Sequence, residues 1–360
     1  MKILAAALVL LVLTAVPVAA EHQQGHTEPA GPAKWAFADD FPLLLDSEWG
    51  FEMGGFGGIE RRAPRQHVPV IFVHGNNVDH ADWYLVRDDL LAAGWTDQEM
   101  YALSYNGVGI TLNAARRVDD RKQAEHAEMG GDGVSRVTAN DINVPDLVAF
   151  IRAVQDYTGS DRFSIVSHSL GVTLARKALL LHPELAADLV AFVGIAGANH
   201  GTSFCPPGSE GQVHSCDEIA KDTPWLEELN GPNDELETYG ATQWMTIRDG
   251  TGTTDSGYTG PDYADSPILA GADNREFPYH DHHELRVMPG VVTAYREFLE
   301  AAEAAVQPSA DPEPPRSTSA PASDVAVDGD LPASGGGTSL AILLALAVGV
   351  GVRRRPRDDG

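Results

Sequence analysis

A serine at the junction between an apolar run and a helical pattern is the residue of this sequence best suited to covalent chemistry. Residues 163–166 are mostly apolar and lead into S-H-S-L-G at 167–171, after which leucine and alanine recur at helical spacing. A strand, a tight turn and a helix in this order form a nucleophile elbow, which raises its central serine above a sheet. The elbow needs small residues two positions before and after the nucleophile; Gly171 fits, and Ser167 replaces the usual first glycine. The pattern therefore predicts that Ser169 is a nucleophile.

The rest of the chain supplies the partners that such a serine requires. A serine hydroxyl is a weak nucleophile that needs a neighbouring base, and the base needs a carboxylate to fix its tautomer. An acidic, glycine-rich loop at 249–255 and a histidine cluster at 280–283 follow Ser169 in that order. This order accompanies an elbow on a parallel sheet, so it favours acyl transfer over a chance S-x-S-x-G match. Zinc binding is the alternative for the H-D-H-H cluster, but we expect no metal and no other cofactor.

The elements that would position these residues alternate between buried strands and helices. Continuous apolar runs at 68–73 and 189–195 indicate strands buried on both faces, as in a parallel sheet. Apolar residues at helical spacing over 144–154 predict a helix with Pro145 in its first turn. Strands separated by helices predict an α/β fold with a doubly wound, mostly parallel sheet.

Composition and charge limit the classes of partner. The chain has 360 residues, of which 43% are hydrophobic, and this is enough apolar material for one sizeable core. Its 25 basic residues stand against 52 acidic ones, which gives a formal net charge of −27. A protein this acidic is repelled by phosphate backbones and by anionic lipid headgroups. Nucleic acid and an anionic membrane surface are therefore excluded as partners.

The N-terminal residues predict export. Residues 1–20 carry one early lysine, an apolar stretch and a small-residue ending, which together are typical of a cleaved signal peptide. An uncleaved anchor is the alternative, but the apolar run is short for a membrane span. Cys205 and Cys216 are the only cysteines, and outside the cell we expect them to form a disulfide rather than a metal site.

The C-terminal residues predict attachment to the cell surface. A compact domain at 21–305 is followed by a linker at 306–334 that is rich in Pro, Ala, Ser and Asp and is expected to be disordered. Residues 335–360 hold an apolar segment and a basic stop at 353–355, just long enough to span a membrane. Leu331 to Gly335 reads L-P-A-S-G and resembles the sortase signal L-P-x-T-G. Sortase processing into the cell wall and simple membrane insertion both place the domain outside the cell.

Four stretches of the sequence resemble those of the class 2 bacterial lipases. They read V-I-F-V-H-G-N-N from Val70, V-P-D-L-V-A-F-I-R-A-V-Q-D-Y-T-G from Val144, F-S-I-V-S-H-S-L-G from Phe163 and G-I-A-G-A-N-H-G-T from Gly194. The resemblance covers residues 68–202 well and the C-terminal third only loosely. It implies a sheet of the α/β-hydrolase type. The α/β hydrolases that degrade polyhydroxyalkanoates are a related similarity.

The resemblance also implies roles for residues near the elbow. Ser169 would be the nucleophile, and the backbone N–H groups of Asn76 and Leu170 would form the oxyanion hole. His74 would brace the loop that holds Asn76 rather than react. His200 directly follows a central strand, and this position favours a bracing role over a role as the base.

The acid and the base are assigned from the family's patterns further along the chain. His282 precedes the last helix and has an apolar residue, Leu285, three positions later, which makes it the expected base. Asp255 ends a G-x-x-D stretch of the form usual after this strand, which makes it the expected acid. The alternatives are Asp249 for the acid, and His283 or His280 for the base.

These inferences predict a secreted, surface-anchored serine esterase or lipase that cleaves carboxylic esters through an acyl-enzyme, with an ester or lipid as its substrate. A polyester depolymerase of the polyhydroxyalkanoate type is an alternative within the same chemistry. A non-catalytic surface protein that retains the fold is an alternative from another class. The intact order of serine, acid and histidine argues against the non-catalytic alternative.

Overall fold

The computed structural model describes residues 36–47, 53–58, 65–76, 78–105, 139–209, 214–231, 237–240 and 242–306. The expected signal peptide at 1–20, the anchor at 335–360 and the sorting motif lie outside these residues. So does the expected linker at 306–334, apart from Val306, which belongs to the last helix. None of the helices in the described ranges is long and apolar enough to cross a membrane.

A seven-stranded sheet runs through the described part of the chain. Its strands are β1 (Gly55–Phe56), β2 (Val70–Val73), β3 (Met100–Leu103), β4 (Phe163–His168), β5 (Leu189–Ile195), β6 (Gln243–Arg248) and β7 (Asp273–Glu276). They are ordered β1-β3-β2-β4-β5-β6-β7 across the sheet. Only β1 is antiparallel to its neighbour, and the remaining pairs are parallel. The predicted fold class is therefore confirmed.

Helices connect the strands. They are α1 (Tyr84–Ala92), α2 (Asn140–Thr158), α3 (Leu170–Leu181), α4 (Pro183–Asp188), α5 (His214–Ile219), α6 (Pro224–Asn230), α7 (Glu284–Val287) and α8 (Pro289–Val306). Short 3-10 turns cover His80–Trp83 and Ser256–Tyr258. Helix α2 begins four residues before Val144, so Pro145 lies inside the helix and not in its first turn as predicted.

The two faces of the sheet carry separate apolar cores. Successive side chains of a strand point to opposite faces. Ile71 and Val73 of β2 accordingly pack in one cluster with α2 and α3, while Val70 and Phe72 pack in the other with α1 and α8. Because helices cover both faces, the sheet is doubly wound. The loops that follow the parallel strands therefore meet at the carboxyl edge of the sheet.

A disulfide closes the loop that follows β5. Cys205 and Cys216 are bonded, with their Cα atoms 5.4 Å apart and a sequence separation of 11. The pair lies in a small apolar cluster that also contains Leu170, the first residue of α3. The predicted disulfide is confirmed, and its cluster packs beside the elbow.

Candidate active site

Ser169 occupies a sharp turn between β4 and α3. Its backbone has φ 56° and ψ −128°, a conformation that residues with a Cβ rarely adopt. Two hydrogen bonds hold the turn: the Ser169 N–H donates to Ile195 O at 2.9 Å, and the Val172 N–H donates to Ser169 O at 3.0 Å. This is the strained backbone of a nucleophile elbow, at the position that the sequence predicts.

Gly171 and Ser167, the two small residues of the elbow, meet different structural constraints. A Cβ on Gly171 would lie 2.3 Å from the backbone oxygen of His74, so α3 can approach the end of β2 only with glycine there. Ser167 stands where the usual motif has its first glycine. It is accommodated because its hydroxyl is buried and donates to Val193 O at 3.1 Å.

His282 and Asp255 come together with Ser169 at the carboxyl edge of the sheet. His282 Nε2 lies 2.9 Å from Ser169 Oγ, and His282 Nδ1 lies 2.9 Å from Asp255 Oδ1. Both the imidazole and the carboxylate are buried. Since a carboxylate only accepts, Nδ1–H donates to Asp255, which leaves Nε2 free to accept from the serine hydroxyl. The three residues form a continuous path for moving a proton from Ser169.

Asp249, the alternative acid, accepts hydrogen bonds from two loops instead. One of its oxygens accepts from the Tyr279 N–H at 2.6 Å, and the other accepts from the Thr251 N–H at 3.1 Å and from the Thr251 hydroxyl. Burial works to raise the pKa of Asp249, but these donors outweigh it and hold the pKa below its usual range. Asp249 therefore links the loop after β6 to the segment that carries His282.

The alternative bases, His283 and His280, make other contacts. The ring centroid of His283 lies 5.6 Å from that of His282, and the backbone N–H of His283 donates to Asp281 Oδ1 at 2.8 Å. His280 donates from Nδ1 to Pro278 O at 3.1 Å. Of the histidines at 280–283, His282 is the one hydrogen-bonded to Ser169.

The expected oxyanion-hole residues flank the nucleophile. Leu170 opens α3, so its N–H is among those at a helix N-terminus that have no acceptor within the helix. Asn76 follows Gly75, where a Cβ would lie 2.8 Å from Ser169 Cβ. The backbone of the loop after β2 therefore lies directly against the serine.

His74 is neutral and holds this loop. Its ring is fully buried, stacks on Tyr105 with centroids 3.9 Å apart, and donates from Nδ1 to Gly75 O at 2.8 Å. Burial lowers the pKa of His74 to about 3, further than the Gly75 hydrogen bond can restore it. The Tyr105 hydroxyl donates to the backbone oxygen of His74. These contacts match the bracing role expected for His74.

A buried chain of polar groups that the sequence did not reveal fixes the backbone of His282. His168, inside the elbow motif, donates from Nε2 to His282 O at 2.8 Å and accepts at Nδ1 from Arg286 at 3.4 Å. Arg286 in turn pairs with Asp82, with Nη1 and Oδ2 3.0 Å apart. Burial holds the pKa of His168 well below its usual range, and the proximity of His282 and of the Arg286 guanidinium lowers it further. His168 could have been suspected from its place in the motif, whereas Asp82 and Arg286 carry no local signal.

His200 takes part in loop packing. Its Nδ1 lies 3.0 Å from Ser266 O, and its Nε2 lies 2.6 Å from Glu237 Oε1. A bracing role was expected for this residue, and the contacts are of that kind. Within the described ranges no group of three or more His, Cys, Asp or Glu side chains is arranged to hold a metal ion.

Fold and site together define the class of protein. A mostly parallel sheet has helices on both faces, a serine elbow after β4, an acid after β6 and a histidine after β7. This arrangement is the α/β-hydrolase fold. A sequence profile of the class 2 lipases matches residues 67–125 and 133–253, which make up half of the 360 residues. The chain therefore belongs to the class 2 lipase family.

The solved structures to which this chain is similar are distant in sequence. Aspergillus fumigatus lipase B is 17% identical, with a TM-score of 0.48, and the match covers 65% of this chain and 52% of that one. The mature form of the Bacillus licheniformis lipase BlEst2 is 14% identical, with 68% and 97% covered and a TM-score of 0.48. The esterase RhEst1 from Rhodococcus sp. ECU1013 is 13% identical, with 72% and 98% covered and a TM-score of 0.43. The chain thus spans about half the length of the fungal lipase.

Proposed function

We propose that this protein hydrolyses carboxylic esters through a covalent acyl-enzyme on Ser169. The observation that supports the proposal most is the pair of 2.9 Å contacts that join Ser169 to His282 and His282 to Asp255. A serine, an imidazole and a carboxylate in this order can generate a nucleophile and store its proton.

Acylation would proceed by proton transfer through His282. Ser169 Oγ attacks the ester carbonyl carbon while His282 Nε2 takes the hydroxyl proton, and Asp255 stabilises the resulting imidazolium. The C–O bond to the alcohol then breaks, and His282 returns the proton to the leaving oxygen. Water repeats the sequence in deacylation: its proton passes to His282, its oxygen bonds to the acyl carbon, and Ser169 leaves with the proton.

The negative oxygen of each tetrahedral intermediate would be stabilised by backbone donors. Leu170 N–H lies at the start of α3, where the helix dipole favours negative charge. Asn76 N–H would be the second donor, from the loop that Gly75 allows to lie against Ser169. Donors fixed before the reaction need no reorganisation, and this is the largest single source of rate enhancement in many enzymes.

We further propose that the enzyme acts at the outer surface of the cell. The support is the predicted signal peptide at 1–20 and the apolar tail at 335–360. A disulfide between Cys205 and Cys216 is the form expected in an oxidising compartment. Cell fractionation of the full chain and of a truncation after Ala305 tests the tail. Retention of the truncated enzyme on the cell would contradict the anchor, and the mass of the mature C-terminus separates sortase cleavage from insertion.

Replacing the nucleophile tests the proposed reaction. Hydrolysis of p-nitrophenyl butyrate should fall by several orders of magnitude in Ser169→Ala, because the serine acts as one unit with its partners. Ser164→Ala is the matched control, since Ser164 is a buried serine of β4, the strand that ends just before Ser169. Near wild-type turnover by purified Ser169→Ala would contradict the proposed function, as would equal losses in the two variants.

A further inference from the structure

An exposed aromatic ring contacts the proposed base. Phe204 is 58% exposed, and its ring meets that of His282 edge to face, with centroids 5.8 Å apart and planes at 85°. Single apolar side chains on a protein surface are common and need no explanation by themselves. Among the exposed large apolar side chains of the described residues, Phe204 is the one whose ring is in aromatic contact with His282.

The contact lies at the reacting edge of the imidazole. A Cβ placed on Gly257 would lie 3.0 Å from Phe204 Cε2 and 3.3 Å from His282 Cε1. Cε1 is the ring carbon between the two nitrogens that contact Asp255 and Ser169. Glycine at 257 therefore leaves room for Phe204 beside the part of His282 that handles the proton.

The segment that carries Phe204 is held firmly against the acid loop. Thr202 Oγ1 and the Ser203 N–H both donate to Gly257 O, at 2.7 and 2.9 Å, and the Ser203 hydroxyl donates to Ser256 O at 2.9 Å. On the other side, Cys205 is tied by its disulfide into the apolar cluster that contains Leu170. The backbone that carries Phe204 is thus already ordered, with the ring exposed to solvent. Less conformational entropy is therefore lost when a ligand binds against this ring.

We propose that Phe204 is a specificity-determining residue that packs against an apolar alcohol chain of the ester. The inference rests on the proposed function. His282 must reach the leaving oxygen to protonate it, so a ring in contact with His282 borders the path of the alcohol that leaves from that oxygen. Binding sites for small molecules are lined mainly by apolar and aromatic side chains. The substrate class is therefore esters of alcohols with several apolar carbons.

Two series of substrates test this assignment. The first is alkyl butyrates from methyl to octyl, and the second is p-nitrophenyl esters from acetate to octanoate. The quantity compared is kcat/KM, because it reports acylation, the stage at which the alcohol is still attached. Variants are Phe204→Ala and Phe204→Leu. Leu181→Ala is the matched control, since Leu181 is 51% exposed at the far end of α3 from Ser169.

We expect Phe204→Ala to lose about tenfold in kcat/KM on octyl butyrate and less than about twofold on methyl butyrate. Phe204→Leu should retain part of the preference, and Leu181→Ala should follow the wild type in both series. Equal ratios across the alkyl butyrates would overturn the proposal, and so would a dependence on chain length confined to the acyl series. If the wild type cleaves no ester in either series, the proposed function fails instead.

Discussion

The two halves of the site are held in different ways. We call residues 73–76 with 167–171 the backbone-held half, because close approach of main chains defines it: Gly171 against His74, Gly75 against Ser169, and a strained φ at Ser169. Loops 249–258 and 279–286 form the side-chain-held half. There Asp255 bonds His282 and Asp249 bonds the Tyr279 N–H, and His168, from the first half, bonds His282 O.

The difference predicts that substitutions in the two halves have different effects on stability and activity. A backbone contact can be lost only by forcing the chains apart, so changes in the first half should cost stability as well as activity. A side-chain hydrogen bond in the second half can be removed by substitution of nearly equal size. Changes there should lower the rate constant while the protein remains folded.

Among the changes that test this comparison, the largest effect is expected at Asp255. Asp255→Asn removes the charge that fixes the His282 tautomer and should lower kcat/KM by about 10³- to 10⁴-fold with little change in melting temperature. Asp249→Asn is the matched control in the same loop, and its loss should be about tenfold or less because Asp249 contacts neither Ser169 nor His282. Steady-state kinetics on one ester decides between them. Equal losses in the two variants would mean that the acid is wrongly assigned.

Substitution of Gly171 is expected to have a smaller effect, and this effect is on the stability of the fold. Gly171→Ala puts a Cβ 2.3 Å from a backbone oxygen, so α3 must move, and the free energy of unfolding should fall by about 3 kcal/mol. Gly290→Ala is the control: no heavy atom lies within 4 Å of a Cβ at that position in α8, and the change should be neutral or stabilise by up to about 1 kcal/mol. Denaturant unfolding measures both. Similar stability of the two variants would contradict a backbone-held half.

The smallest effect is a dependence of stability on pH at His74. The folded pKa of about 3 lies below the ordinary value of 6.5, so between these values the unfolded chain binds a proton that the folded chain does not. Stability should therefore fall as the pH drops below 6.5, by about 2 kcal/mol at pH 5 from this residue. His168, whose pKa is also lowered, acts in the same direction.

His74→Gln isolates this contribution. The variant lacks the titrating ring, so its deficit in unfolding free energy relative to the wild type should shrink by about 2 kcal/mol between pH 7 and pH 5. Measuring the difference between two proteins cancels the opposite effect of His67, whose pKa is raised chiefly by its hydrogen bond to Glu303. An unchanged deficit at the two pH values would show that His74 titrates normally.

The backbone-held half was largely predictable from sequence because its signals are local. The apolar run of β4, the S-x-S-x-G turn and the helical spacing after it are contiguous around Ser169, and the apolar run of β2 leads directly into His74 to Asn76. Strand and helix periodicities are read over such short windows. The fold class follows from the same local patterns.

Features that depend on distant partners were not predictable. Helix α2 begins at Asn140 because the carboxylate of Glu218, 78 residues away, accepts from the Asn140 N–H. Strand β1 has only two residues and exists because it pairs with β3. The link from Asp82 through Arg286 to His168 joins three segments. The choice of His282 and Asp255 needed a family pattern for the same reason, since nothing local separates them from His283 and Asp249.

Covalent trapping of the nucleophile tests the central claim most directly. The wild-type enzyme is treated with an alkyl fluorophosphonate, and the adduct is located by intact mass and peptide mapping. One adduct per chain is expected, on Ser169, with none on Ser164 or Ser167. Labelling should disappear in Ser169→Ala and slow by orders of magnitude in Asp255→Asn, because His282 then lacks its partner. An adduct on another serine, or no adduct on an enzyme that still cleaves esters, would contradict the account.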